Sequence, residues 1–214
     1  VIKNGEPLNA VVPTGNFGNI LAAYYAKKIG TPLGKLICAS NENKVLFDFF
    51  TTGEYDRNRE FMLTSSPSMD ILISSNLERL IYHIAGNDAD KNVKLMKDLS
   101  TAGKYEITEE MKKGLVDFVG GFSTEEETAK EIETVYKNAD YVIDTHTAVA
   151  SQVYRAYKKE SGDVTPTVIA STASPYKFGR AVMTAIDAKY ADMEDFALVD
   201  AQCELSGVKI PQAV

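Results

Sequence analysis

The chain has 214 residues, 44% of them hydrophobic and 25% charged, with a formal net charge of -7. That length suffices for one good α/β core, and the balance is ordinary for a soluble globular protein. The negative charge without a basic stripe argues against a nucleic-acid partner; no apolar run approaches a membrane span and no signal peptide is visible.

Val1 is not an initiator methionine, and the chain opens almost directly into an apolar run, which reads as a piece of something longer. Leu8 to Val12 is expected to be a short buried strand. Pro13-Thr14-Gly15-Asn16-Phe17-Gly18-Asn19 follows as a turn, and a helical pattern leaves it through Ile20, Ala23 and Tyr24 to Lys27-Lys28. Gly30 sits where a helix C-terminal glycine belongs, and Pro32 forbids continuation. Gly15 and Gly18 let the backbone come close to a ligand, and at Gly18 a positive φ is expected as well. The first helical turn offers unpaired N–H groups and the positive end of a dipole, which suits a phosphate. The nucleotide P-loop is excluded because no Gly-Lys-Ser/Thr follows, and the dinucleotide fingerprint because the third glycine is missing. On physics alone, a phosphate cradle and a plain tight turn both stand.

Lys35 to Ser40 reads as a second strand, reached by a crossover helix, and therefore parallel to the first. From Glu42 to Gly114 the strand signal is weak and helical patterns dominate. Ser75-x-x-Glu78 reads as a capping box ahead of Leu77, Leu80, Ile81 and Ile84; Asp90 to Leu99 and Thr108 to Phe118 read as further helices. Alternation resumes with a short strand near Phe118-Val119. Gly120 to Ser123 reads as a plain loop, and Thr124-x-x-Glu127 as a capping box for a helix buried along Ile132, Val135 and Tyr136. Tyr141 to Asp144 and Pro166 to Ser171 read as strands. Helices are expected through Val149 to Lys159, from the Ser174-Pro175 start through Phe178, Val182 and Ile186, and from Met193 to Leu205. The expected architecture is α/β: one domain over 1–214, a mainly parallel sheet with helices on both faces, and a helical insert over about 42–114. Cys38 and Cys203 stand far apart without histidine nearby, so no metal site or disulfide is expected; buried thiols in a reducing, cytoplasmic compartment are.

In an open parallel sheet, ligands bind at the carboxyl ends of strands. Three such loops are chemically loaded: Pro13 to Asn19, Asp144 to Thr147, and Ser171 to Lys177. The string Pro13 to Asn19 resembles the cofactor-phosphate loop of threonine synthase, a fold-type II (tryptophan synthase β-like) enzyme family dependent on pyridoxal phosphate (PLP). Ser40-Asn41-Glu42-Asn43 with Phe47, Thr52-Gly53 and Tyr55 is similar to the segment that follows in threonine synthases of the longer bacterial and fungal type. Pro67 to Ile71 with Ser74 to Arg79 resembles that subgroup's marker run. Asp144 to Val149 resembles its Asp-Pro-His-Thr-Ala-Val element, with Thr145 in place of proline. Ser171 to Phe178 resembles its Ser-Thr-Ala-His-Pro-Ala-Lys-Phe element, with Ser174 and Tyr176 as departures. The likeness runs from about Leu8 to Pro211.

The resemblance implies a parent that converts O-phospho-L-homoserine and water to L-threonine and phosphate, with PLP as cofactor and electron sink. It assigns the cofactor phosphate to Gly15, Asn16, Phe17, Gly18 and Asn19, and the pyridine nitrogen to the Thr172 hydroxyl. The competing reading of Thr172 is a cap on the helix that begins at Pro175. His146 is either near the substrate, as proton relay or phosphate contact, or a locally bonded histidine at a helix start. His83 reads as structural, and Lys177 and Arg180 as cations that rank low for the substrate phosphate. The family's Schiff-base lysine stands in a Phe-Lys-Asp element well before the phosphate loop, and nothing before Leu8 supplies one. The resemblance thus implies a C-terminal part of the enzyme, with no catalytic residue of its own and the N-terminal part as partner. A different fold-type II enzyme, such as a cysteine synthase or a tryptophan synthase β chain, is disfavoured by the Pro67 to Arg79 run. A non-catalytic phosphate-binding module is the third reading.

Overall fold

The computed structural model describes Lys3 and residues 5–212; Val1, on which the reading of a longer parent rests, lies outside the described residues. Four strands build the main sheet: β1 (Leu8–Pro13), β2 (Leu33–Ser40), β5 (Phe118–Phe122) and β6 (Thr167–Ile169). Their order is β5-β2-β1-β6, and every pairing is parallel. One row of partners runs Ile169, Val11, Ile37, Val119. Because side chains alternate along a strand, that row faces one side and the next faces the other. Val11, Ile37 and Ala39 pack with Val149, Ala150 and Val153 of α7 (Thr145–Ser161). Ala10, Val12, Leu36 and Cys38 pack with Ile20, Leu21 and Tyr24 of α1 (Gly18–Lys28) and with Leu46 and Phe49 of α2 (Val45–Thr52). The expected parallel sheet with helices on both faces is what the chain forms.

The segment between β2 and β5 is helical, as expected, through α2, α3 (Leu77–Ile84), α4 (Ala89–Ala102) and the short α5 (Glu109–Lys112). It also holds a two-stranded antiparallel ribbon that its sequence did not announce, β3 (Glu54–Asp56) against β4 (Lys104–Glu106). Gly53 and Gly103, both at positive φ, close α2 and α4 and turn the chain straight into these strands. Tyr55 stacks on Tyr105 with ring centroids 5.4 Å apart and planes 8° apart. Three residues of polar–aromatic–polar alternation are too few to register as a strand.

Other boundaries differ for local reasons. Tyr141–Asp144 pairs with no strand; Val142 and Ile143 pack instead against Ile132 of α6 (Glu125–Ala139) and Val182 of α8 (Gly179–Ile186). Gly120 and Gly121 belong to β5 rather than to a loop. A Cβ at Gly121 would lie 2.5 Å from Val153 of α7, and one at Gly120 3.2 Å from the Phe47 backbone of α2, so helices on both faces press on the strand. The Thr124–Glu127 capping box forms, but Ser75–Glu78 does not: Asn76 stands at the start of α3 without a side-chain cap. Helix α9 (Asp195–Ser206) stops at Gly207 as expected. Among the described residues no helix is long and apolar enough to cross a membrane.

Phe17 ties the first turn to the core. It is 1% exposed, with Phe50 and Phe118 at ring-centroid distances of 6.0 and 5.9 Å, yet its backbone is left-handed at φ 64°. Losing the ring by Phe17→Ala should cost about 3–5 kcal/mol in urea unfolding. Phe17→Gly loses the same ring but escapes the left-handed penalty of roughly 1–2 kcal/mol. The glycine variant should therefore be the more stable of the two; the reverse order would show that the left-handed backbone carries no strain.

Candidate functional site

In a sheet ordered β5-β2-β1-β6 the chain works outward from β1 on one side, then returns to add β6 on the other. The strand order reverses between β1 and β6, which is where an open parallel sheet binds ligands. A cavity of about 330 Å³ lies there, lined by Pro13 to Ile20, by Ser68, Met69 and Asn76 from the insert, by His146, and by Thr172, Ala173 and Lys177. Its size falls in the usual range for small-molecule sites, about 300–1,000 Å³.

The loop from Gly15 to Asn19 presents amides to this cavity for a reason that can be traced bond by bond. The Gly15 carbonyl accepts from Ser74 Oγ at 2.7 Å, and the Asn16 carbonyl from Asn76 Nδ2 at 2.7 Å and from the Asn76 amide at 3.2 Å. A trans peptide is planar, so a carbonyl held on one side sends the next residue's N–H to the other. Among the described residues no protein acceptor meets the N–H groups of Asn16, Phe17, Gly18, Asn19 or Ile20. Helix α1 has no side-chain cap and no acidic residue in its first turn. By contrast α4, α6, α7 and α9 are capped by Asp88, Thr124, Asp144 and Glu194. An open helix start with free amides and a positive dipole end suits an anion.

The positive φ expected at Gly18 is not there. Neither Gly15 nor Gly18 has positive φ; the left-handed residue is Phe17 between them. Gly15 is required by close approach, since a Cβ there would lie 2.5 Å from the Ser68 carbonyl oxygen. A Cβ on Gly18 would meet only the Asn76 side-chain nitrogen, at an ordinary 3.7 Å, so this glycine is not required by crowding from the protein.

The structure brings the other expected residues to the same cavity and sorts their roles. Thr172 lines it and makes no hydrogen bond among those described, while the helical start at Pro175 is capped by Ser174 instead. Lys177 lines it and is exposed, its Nζ 5.5 Å from the Phe178 ring centroid. Arg180 does not reach it: the guanidinium is spent on the carbonyls of Ala191 and Met193 and on Asp195. His83 is exposed on α3 and bonded to Asn87, away from the site. His146 is 2% exposed, with Nε2 3.2 Å from the Ser68 amide and Nδ1 3.0 Å from Asp144 Oδ1. Cys38 lies beneath the loop; burial pushes its thiol up to about 12, against a lowering by the Thr14 hydrogen bond, so it stays protonated.

Sequence reasoning missed the residues that hold the loop. Ser74 and Asn76 stood in a quoted run without a role, and Ser68 was one residue of a marker. Tyr55 supports them from β3: its hydroxyl donates to the Leu72 carbonyl at 3.1 Å and accepts from the Ser74 amide at 2.8 Å. Burial pushes this phenol up to about 12, with the Ser74 amide opposing, so it too remains neutral. Among the described residues no cluster of His, Cys, Asp or Glu is placed to hold a metal ion.

This architecture, a parallel sheet with an uncapped glycine-flanked helix start at its switch point, is that of the fold-type II PLP enzymes. The structure of PLP-bound threonine synthase from Brucella melitensis superposes with a TM-score of 0.82 at 37% identity, covering 96% of this chain and 42% of that one. The curated threonine synthase of Saccharomyces cerevisiae is 37% identical over 199 residues, 86% of this chain and 39% of the yeast protein. Human threonine synthase-like 1 is 43% identical over 190 residues, 88% of this chain but 25% of the human protein. Residues 147–206 match the family model described as threonine synthase, C-terminal. The chain belongs to the threonine synthase family, and it spans between a quarter and about two fifths of the length of these relatives.

Asp144 anchors the α7 side of the site, and its charge is legible in acid. Burial works to raise its carboxyl, but hydrogen bonds from the His146 ring, the Thr147 hydroxyl and the His146 amide outweigh this and hold it below the usual value. A lowered folded pKa adds stability above the unfolded value, about 3.9, and loses it as pH falls through the folded one. Asp144→Asn should therefore flatten the acid limb of a stability-against-pH curve below about pH 4, measured by denaturant unfolding. Superposable acid limbs would show that the carboxylate is not stabilised by folding.

Proposed function

We propose that this chain forms the cofactor-phosphate side of a PLP-dependent threonine synthase, whose whole protein converts O-phospho-L-homoserine and water to L-threonine and phosphate. The observation that carries the reading is the open start of α1: five amides without protein acceptors, at the sheet's switch point, in a cavity that Thr172 and Lys177 also line. The donor set fits a cofactor with a phosphate and a heteroaromatic nitrogen. Backbone amides of Asn16 to Ile20 hold the phosphate, Gly18 leaves room for it, and the Thr172 hydroxyl, without another partner, holds the ring nitrogen.

When bound, PLP supplies an electron sink for carbanions formed on the substrate. A neutral hydroxyl at Thr172 holds the ring nitrogen without the fixed charge a carboxylate would bring, which tempers that sink. Lys177 adds a cation at the cavity's edge, where its exposure leaves it screened. The Schiff-base lysine belongs to the N-terminal part of the enzyme, which also completes the cavity around the substrate.

The test is a titration of the 214-residue chain with phosphate or PLP, followed by amide chemical shifts. The amides from Gly15 to Asn19 should move. Gly18→Val fills the space in front of the helix start and should weaken binding about tenfold or more, within the ~2 kcal/mol such a site is worth. Lys177→Ala removes an exposed charge and should cost less than about fivefold. If the loop amides stay still while others move, the loop is only a turn.

A second measurement checks the division of labour. The 214-residue chain, incubated with PLP and reduced with borohydride, should label no single lysine stoichiometrically and should release no threonine from O-phospho-L-homoserine. Clean labelling of Lys177 accompanied by turnover would overturn the assignment of that lysine to the N-terminal part.

A further inference from the structure

We propose that His146 is a positioning residue: as a neutral imidazole braced by Asp144, it latches the Ser68 turn that forms one wall of the anion cradle, and it does not itself contact the anion. This rests on reading the Gly15 to Asn19 loop as that cradle.

The tautomer follows from the partners. Ser68 offers an N–H to Nε2, and an N–H cannot accept, so Nε2 must be bare. The ring proton therefore sits on Nδ1 and is donated to Asp144 Oδ1. With both nitrogens engaged and 2% of the residue exposed, the ring has no free donor to give an anion.

What the latch holds is the wall. The Ser68 carbonyl approaches so closely that a Cβ on Gly15 would lie 2.5 Å from it, so the position of this turn limits where Gly15 can sit. The far end of the turn is fixed separately: the Asp70 carboxylate accepts from Asn41 Nδ2 at 2.7 Å, Asn43 Nδ2 at 2.9 Å, and the Thr64 amide and hydroxyl at 2.9 and 2.7 Å. His146 is the tie at the cavity end. The same Asp144 carboxylate accepts from the Thr147 hydroxyl, whose oxygen lies 3.1 Å from Ser171 Oγ, next to Thr172. One buried carboxylate thus connects the Ser68 wall, the start of α7 and the end of β6.

Protonation of His146 would turn Nε2 into a donor facing the Ser68 N–H, and two donors cannot share a bond. The charged groups around the ring are Asp144 on its own helix, Lys177 from the segment across the cavity, and Asp70 at the far end of the turn, already committed to its asparagines. The latch predicts that protonation loosens the wall and weakens anion binding. A histidine that touched the anion would do the opposite, because the new positive charge would strengthen it. The sign of the effect separates the two roles.

The experiment uses the ¹⁵N-labelled 214-residue chain and sulfate, an anion that keeps its charge between roughly pH 8 and pH 5. Imidazole nitrogen shifts at the upper end should report the Nδ1–H tautomer for His146. On acidification the Ser68 and Gly15 amides should move together with the His146 ring-nitrogen shifts and not with those of His83, the chain's other histidine. Sulfate affinity should fall about threefold or more as His146 protonates. His146→Gln keeps an acceptor near Nε2 and should bind sulfate within about twofold of wild type with no pH dependence. His146→Leu has no acceptor and should lose about tenfold, the equivalent of one lost hydrogen bond. Affinity that rises on protonation, an Nε2–H tautomer, or a Ser68 amide indifferent to His146 would overturn the latch. If sulfate moves no loop amide at any pH, the cradle reading fails, and the response of Ser68 and Gly15 to His146 still decides whether the latch acts on the loop.

Discussion

A peptide group cannot aim its two ends independently, and the site depends on that constraint. Ser74 and Asn76 take the carbonyls of Gly15 and Asn16 to one side, and planarity sends the following amides to the other. The proposed anion site needs no positive side chain to build it. What is needed is a second body of chain, rigid enough to hold two carbonyl oxygens in place. The insert between β2 and β5 is that body, and its ribbon, with Tyr55 stacked on Tyr105 beneath Ser74, is what stiffens it.

The opposite wall uses the same means with different atoms. The start of α7 is buried on every side, so its orphan amides cannot turn to water. Asp144 satisfies them, and the charge that makes it a strong cap also makes it a strong acceptor for the His146 ring and the Thr147 hydroxyl. Burial alone would make that carboxylate costly; three donors outweigh the cost. Two of the helix starts around the cavity are thus spent on protein groups, Asp144 on α7 and Ser174 on the turn before α8, while α1 keeps a run of amides without protein acceptors.

Much of this was legible in the residues, and what was not has identifiable causes. The strand-turn-helix around Gly15 to Asn19, the Thr124 capping box and the Gly207 stop are local, and local spacing reveals them. The order β5-β2-β1-β6 is not local: periodicity says that Thr167–Ile169 is apolar, not that it lies beside β1. Tyr141–Asp144 has strand composition but no neighbour to pair with, and a helix covers its apolar residues instead. The loop's glycines stand out in sequence, but the crowding of Gly15 by Ser68 is a tertiary fact that no spacing encodes. Ser74, Asn76 and Ser68 escaped notice since a hydroxyl or amide that clamps a distant carbonyl looks, in sequence, like any polar loop residue.

The pairing of β1 with β6 has a kinetic side. Val11 pairs with Ile169 across most of the chain's length, so this contact closes one of the longest loops in the domain. Closure entropy rises only slowly with loop length, but contacts of this kind form late and set the pace of folding. The cavity straddles that seam. An anion that bridged the two sides would act on the folding equilibrium of the whole sheet rather than on one loop.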